Sequence, residues 1–219
     1  MSPNLATIDP KAKLTTLVNI FTVAPENCGR LAALLREADT WISQVPGFLT
    51  SALHVSRDQQ RIVIYGQWRS ADGLGLMRQR PEMPASAAQT KALATLDTTV
   101  CDVSSALTTT VQPITIDPKA QLTTLVNTLT VAPENCERLV ALLKEGTDSW
   151  ICKIPGFMGA ALHVSRDQRR VVIYGQWRSA EGIAAMRQSH YMPPYFERIK
   201  ALAKMDEAIT CDLASTLVV

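Results

Sequence analysis

No run of apolar residues in this 219-residue sequence approaches the roughly 20 needed to cross a bilayer as a helix, so a helical membrane protein is not expected. Excess charge is lacking too. The net charge is +2 and no long basic or acidic run occurs, which argues against nucleic acid or an anionic membrane as the main partner. The opening residues, MSPNLATIDPKAK, have neither the charged start nor the apolar stretch of a secretion signal, and a cytoplasmic location is the expectation. Cysteines are few and odd in number: five, with no CxxC. That disfavours both a disulfide framework and a zinc site, and leaves Cys28, Cys101, Cys136, Cys152 and Cys211 as small buried hydrophobes. A Walker loop, a GxGxxG and an HExxH are all missing. Gly73-Leu74-Gly75 is merely two glycines in a helical stretch.

What the chain does have is itself, twice. LTTLVN at 14–19 returns at 122–127, TVAPENC at 22–28 at 130–136, ALHVSRDQ at 52–59 at 161–168, and VIYGQWRSA at 63–71 at 172–180. The repeat is the size of one small domain, and a duplicated small domain commonly replaces a homodimer by fusing its halves. Copy one spans about 8–107 and copy two 116–217. The segment 108–115, TTTVQPIT, reads as a short link between them. The duplication makes each copy a reference for the other.

Within a copy the expected order is strand, helix, strand, strand, helix, strand. Leu14–Val23 is rich in β-branched residues and runs into Ala24-Pro25-Glu26, a helix start with Pro in the first turn. Leu31, Leu34, Leu35, Ala38 and Ile42 then mark one apolar face, and Pro46-Gly47 ends the helix. Phe48–Ser56 and Arg61–Arg69 form a hairpin around 57–60. Ser70–Leu96 reads as helix broken near Pro81 and Pro84, and Thr99–Leu107 closes the unit as a strand. The βαββαβ order predicts an α+β fold of two ferredoxin-like units. One sheet face per unit is left bare, so the two copies are expected to meet sheet to sheet as an internal pseudo-dimer, with a further homodimer also open.

These motifs, in this order (LVN, TV and PE, W before PGF, ALHVSRDQ, YGQWRS), resemble the antibiotic biosynthesis monooxygenase family, in tandem duplicate. The likeness is greatest to its branch that oxidises anthrones to quinones in aromatic polyketide pathways. The resemblance implies a dimeric α+β barrel, and an oxygenase that deprotonates a polycyclic phenolic or anthrone-type substrate whose anion reduces O2 without metal or flavin. The partners are then a small aromatic molecule and O2. Such a site needs a dry pocket, a route for a proton and donors for the developing anion. The anthrone-oxidising branch often carries Asn three or four residues before its pocket Trp; here Ile64 and Ile173 stand there, so a different donor or substrate is implied.

Trp68 and Trp177 match the family's pocket tryptophan and serve equally as core aromatics. Asn19 and Asn127 match its first-strand Asn. His54 and His163 are set aside by parity. A four-residue turn at 57–60 pairs His54 with Val63 and Trp68 with Leu49, on opposite faces. The copies diverge most at 189–200, SHYMPPYFERIK, against 80–91, RPEMPASAAQTK. Tyr191, Tyr195 and Arg198 are spaced for one helix side. The expected live site is therefore in copy two, with Trp177, Arg198, His190 and Tyr195 catalytic and Asn127, Tyr191 and Phe196 binding substrate. Asn19 and Trp68 complete the substrate-binding set from a copy one kept as scaffold. Two other readings fit the same residues: a non-catalytic or cyclase-like protein sheltering an aromatic intermediate, and a haem protein with His190 as axial ligand. Copy two also carries one extra residue near 146–148, which is expected to turn Trp150 away from the position of Trp41.

Overall fold

The computed structural model describes residues 5–109 and 113–219. Copy one runs β1 (Ala6–Ile8), β2 (Thr15–Val23), α1 (Pro25–Ile42), β3 (Phe48–Ser56), β4 (Arg61–Trp68), α2 (Ala71–Arg78), α3 (Met83–Lys91) and β5 (Ala94–Thr108). Copy two repeats this as β6 (Ile114–Ile116), β7 (Thr123–Val131), α4 (Pro133–Ser149), β8 (Phe157–Ser165), β9 (Arg170–Trp177), α5 (Ala180–Gln188) and α6 (Met192–Lys200). Its last strand is in two pieces, β10 (Ala203–Met205) and β11 (Ile209–Val218). Within the expected link 108–115, residues 110–112 lie outside the described residues, Thr108 ends β5, and Ile114 and Thr115 begin β6.

Local chemistry accounts for most boundaries. Pro25 and Pro133 open α1 and α4, where a missing N–H is harmless. Gly47 turns the chain after α1 at φ +89, a left-handed conformation that glycine adopts freely. Its carbonyl accepts the Arg69 N–H at 2.7 Å. The final strand of copy one starts at Ala94 rather than Thr99, because 94–98 pair with Val23–Asn19 of β2. Pro84 does not break a helix but sits in the first turn of α3; the break is between Arg78 and Met83.

The pseudo-dimer is a closed barrel of eight antiparallel strands in the order β7-β11-β3-β4-β2-β5-β8-β9 and back to β7, with β10 continuing the line of β11 along β7. The copies do more than lay two sheets face to face. The first half of β5 pairs with β2 of its own copy, and its second half, from Cys101, pairs with β8 of the other. In the same way β11 pairs with β7 and then with β3. Related ion pairs mark the two crossings: Arg57 Nε to Asp212 at 3.0 Å and Arg166 Nε to Asp102 at 3.6 Å. Both are about half exposed, so they fix register more than they add stability.

An eight-stranded barrel is just wide enough for side chains to fill. Val18, Ala52, Val63 and Tyr65 and their counterparts Val126, Ala161, Val172 and Tyr174 point inward. The β1–β6 ribbon, not anticipated from sequence, adds Ala6, Ile8, Ile114 and Ile116 to this core. Gln67 Nε2 donates to the Thr7 carbonyl and Gln176 Nε2 to that of Thr115, both at 2.8 Å.

Both expected strand histidines lie in this interior. His54 pairs in register with Val63, and Trp68 with Phe48 rather than Leu49, because a bulge follows Phe48. His54 Nε2 lies 3.0 Å from the Tyr174 hydroxyl, and His163 Nε2 3.0 Å from that of Tyr65. His163 Nδ1 faces the Val172 carbonyl at 3.4 Å. A carbonyl only accepts, so Nδ1 donates, Nε2 accepts, and Tyr65 donates to it. Burial pushes both histidines down to about 4. They are neutral in the folded protein but take up protons in the unfolded chain below its ordinary value of 6.5. The stability this confers is complete above pH 6.5 and is lost as pH falls through 4. Denaturant melts should therefore show a stability loss between pH 6.5 and 4, on the order of 3 kcal/mol per histidine. A flat profile would exclude neutral buried histidines.

Candidate active site

Strand alternation sends the other residues of β2 and β4 outward, toward the helices. In copy one these are Leu17, Asn19 and Phe21 on β2 and Ile64, Gly66 and Trp68 on β4, roofed by α1 and α3. Between sheet and roof lies a cavity of about 630 Å³, within the ~300–1,000 Å³ typical of sites for small organic ligands. Its walls are mostly apolar, with Phe48, Met77, Met83 and Leu96 joining the strand residues. Its charged groups are Asp39 and Lys91. Half-exposed Leu96 stands at the rim.

The same space in copy two is occupied. There the helix–sheet layer is one continuous core holding Leu142, Leu143, Trp150, Trp177, Tyr195 and Ile199. In copy one the layer is split in two, around Phe21 and Leu31 on one side and Phe48 and Trp68 on the other. Four differences account for this. Tyr195 stands where copy one has Ser86, and Ile199 where it has Thr90. Gly146 replaces Ala38: a Cβ at 146 would lie 2.5 Å from the Tyr195 ring, so only glycine admits that ring. Finally, counted from the helix start, the extra residue puts Trp150 at the position of Ile42, one past that of Trp41. The helix ends there, in a 3-10 turn, and Trp150 packs edge-on against Tyr195 with ring centres 5.5 Å apart.

Of the residues expected to form a site in copy two, His190, Tyr191, Tyr195 and Arg198 border one hollow of about 520 Å³, and Trp177, Asn127 and Phe196 are not part of its lining. Trp177 is buried beneath the plug of Trp150 and Tyr195, edge-on to Phe157. Tyr195 has its hydroxyl directed to the Leu143 carbonyl at 3.5 Å. Outside, Arg198 is 56% exposed and bidentate to Glu145, at 2.9 and 3.0 Å. His190 is exposed and stacked on exposed Tyr191, ring centres 3.9 Å apart. Phe196 is half-buried beneath the Lys200 ammonium. Asn127 is half-buried with its Oδ1 unpartnered. Among the described residues no group of three or more His, Cys, Asp or Glu is gathered as a metal site would need, and no helix is long and apolar enough to cross a membrane.

Asn19 and Trp68 line the cavity itself. Asn19 Oδ1 accepts from the Thr98 hydroxyl at 2.9 Å, which fixes the amide and leaves its NH2 to donate. In register it faces Ile64 across the β2–β4 pair. An amide thus stands beside the Ile64 position, on the neighbouring strand. Trp68 is held by Phe48, ring centres 5.2 Å apart and edge-on, and by Gly73, where an added Cβ would come within 2.7 Å of the indole and 3.0 Å of the Pro46 carbonyl. Gly73→Ala should cost about 1–3 kcal/mol by overpacking and displace the indole, measurable as a lower Tm and a shifted Trp fluorescence. An unchanged Tm and spectrum would show that α2 does not hold Trp68.

Sequence reasoning did not single out Asp39 and Ser51. Asp39 is half-buried on the cavity side of α1. Burial raises its carboxyl to about 6, against the opposing pull of a Ser51 hydrogen bond and the Arg36 charge. The signal was available: Asp39 sits between Leu35 and Ile42 on the apolar helix stripe, and its counterpart is Thr147.

The sequence profile described as antibiotic biosynthesis monooxygenase matches residues 15–89 and again 123–201. Tetracenomycin-F1 monooxygenase of Streptomyces glaucescens is 40% identical over 80 residues, 36% of this chain and 71% of that protein. Among solved structures, an anthrone oxidase-like protein superposes with a TM-score of 0.86 at 21% identity, over 97% of this chain and 96% of its own. A Fusobacterium nucleatum protein provisionally assigned as a monooxygenase superposes at 0.64 with 13% identity, over 94% of both chains. At these identities the two structures establish the shared fold.

Proposed function

This chain belongs to the antibiotic biosynthesis monooxygenase family, and from that premise we propose that it is a cofactor-independent oxygenase with its site in the cavity of copy one. The substrate class is a flat polycyclic aromatic of the phenolic or anthrone type. The observation that carries the reading is the apolar cavity with Asn19 and Trp68 in its wall. The 40% identical relative, by name a monooxygenase of tetracenomycin F1, supports the choice of polycyclic substrates.

The chemistry needs no outside reductant. An anthrone-type CH2 loses one proton to give an enolate, whose electrons reduce O2. A C–O bond forms, and the resulting hydroperoxide loses water as its remaining C–H bond breaks. One oxygen atom becomes the new carbonyl and the other leaves as water with the two hydrogens. The protein's part is to hold the ring in a dry cavity and stabilise the enolate oxygen, with the Asn19 NH2 and the Trp68 indole N–H as donors.

The test is oxygen uptake with anthrone and no added metal, flavin or reductant. The expected result is one O2 consumed and one quinone formed per substrate, with one atom of 18O2 in the product. Tight binding with no uptake would instead favour a protein that shelters an aromatic intermediate.

A further inference from the structure

We propose that Asp39, backed by Ser51, is the group that takes the proton from the substrate. The inference rests on the oxygenase reading and deepens it, because that reading leaves the proton without a destination.

Three observations carry it. First, the cavity lining includes one acidic side chain, Asp39. Second, its partner Ser51 lies on β3 directly across from Gly66 of β4. A Cβ at Gly66 would sit 3.6 Å from the Trp68 indole nitrogen. Ser51, the bare strand at Gly66 and the indole therefore lie side by side, a flat spot for a ring with a donor on one flank and the carboxylate's partner on the other. Third, the two copies differ here in concert. In copy two Asp39 is replaced by Thr147 and Ser51 by Ala160, which border a separate hollow beside α4 and β8. Thr147 turns its hydroxyl back to the Leu143 carbonyl at 2.9 Å. The acid and its hydroxyl partner occur together in the copy whose cavity reaches the first-strand amide and the indole; in copy two a hollow of similar size lies against Thr147 and Ala160 and is lined by neither Asn127 nor Trp177.

The step balances. The C–H bond of the anthrone methylene breaks, its electron pair stays on the ring system as the enolate, and the proton forms an O–H bond on the Asp39 carboxylate. That proton is later returned to the peroxide oxygen. Burial, the largest influence on Asp39, raises it to about 6, which makes it a stronger base than an ordinary aspartate and leaves it ionised at neutral pH. Arg36 from its own helix and Ser51 from β3 oppose the rise, and Lys91 of α3 is the other charged group on the cavity wall.

The experiment separates proton removal from oxygen chemistry. Anthrone is incubated with the protein anaerobically in D2O, and deuterium at its methylene is followed by NMR. Wild type should catalyse exchange, with a rate that rises with pH through about 6. Asp39→Asn should slow it about 10²-fold or more and flatten the pH profile, while Asp39→Glu restores part of the rate. Affinity for anthraquinone, which has no proton to lose, should stay within about threefold by the same reasoning. Equal exchange by wild type and Asp39→Asn, or no exchange by wild type, overturns the proposal. Oxygen uptake at full rate by Asp39→Asn removes Asp39 and leaves the oxygenase reading standing. Exchange by wild type without oxygen uptake removes the oxygenase reading and leaves Asp39 as the base.

Discussion

Trp68→Phe should lower oxygen uptake by about 10²-fold or more, the usual loss when one preorganised donor to a developing anion is removed. Trp177→Phe should leave the rate per folded molecule within about twofold. The two tryptophans occupy equivalent strand ends and have the same edge-on partner, Phe48 or Phe157, at 5.2 Å. They differ in what lies above them: a cavity over Trp68, the Trp150–Tyr195 plug over Trp177. Phenylalanine keeps most of the packing and loses the N–H, so anthraquinone affinity serves as the control for a disturbed cavity. If Trp177→Phe abolishes turnover and Trp68→Phe spares it, the site is in the wrong copy.

Emptying the plug should create a second binding site. In Trp150→Ile/Tyr195→Ser each residue takes the identity found in copy one. Titration with anthraquinone should change from one ligand per chain in wild type toward two in the double variant. Removing buried aromatics of this size costs about 3–5 kcal/mol each. Because the two rings touch, the combined loss should be smaller than the sum. The melting temperature should fall and be partly restored by ligand, since binding to the folded state alone stabilises it. Wild-type protein that already binds two molecules, or a folded double variant that still binds one, would contradict the assignment.

The order of elements was legible because it depends on patterns that repetition makes visible: β-branched runs, helix-opening prolines, and the PGF and YGQW punctuation. The residues pointed only to two sheets laid face to face; the closed barrel was implied by the family resemblance, because the crossing of β5 and β11 between copies leaves no local pattern. The hairpin parity of His54 held because it depends only on the turn at 57–60. Trp68's partner shifted because a bulge at the far end of the hairpin has no clear sequence signature. The ribbon β1–β6 escaped notice because three residues give too short a pattern to read.

The site was harder to read for a different reason. Copy two's extra aromatics are the kind of side chain that lines pockets and also the kind that fills them. Composition cannot distinguish the two roles; the volume around each ring decides. Gly146 was the residue that pointed to filling, because a helical glycine beneath an aromatic marks close contact. The small side chains of copy one, Ser86, Ala87 and Thr90, read as degeneration in sequence and prove to be the space itself.

The crossing of β5 and β11 into opposite copies has a bearing on how such a chain can change over generations. Each half is the neighbour's wall whether or not it receives a guest, so its freedom to drift ends at the strands it lends. Changes should accumulate on its outer helices and spare its staves. That is the distribution already visible between the near-identical ALHVSRDQ and YGQWRS strands and the dissimilar stretches 80–91 and 189–200.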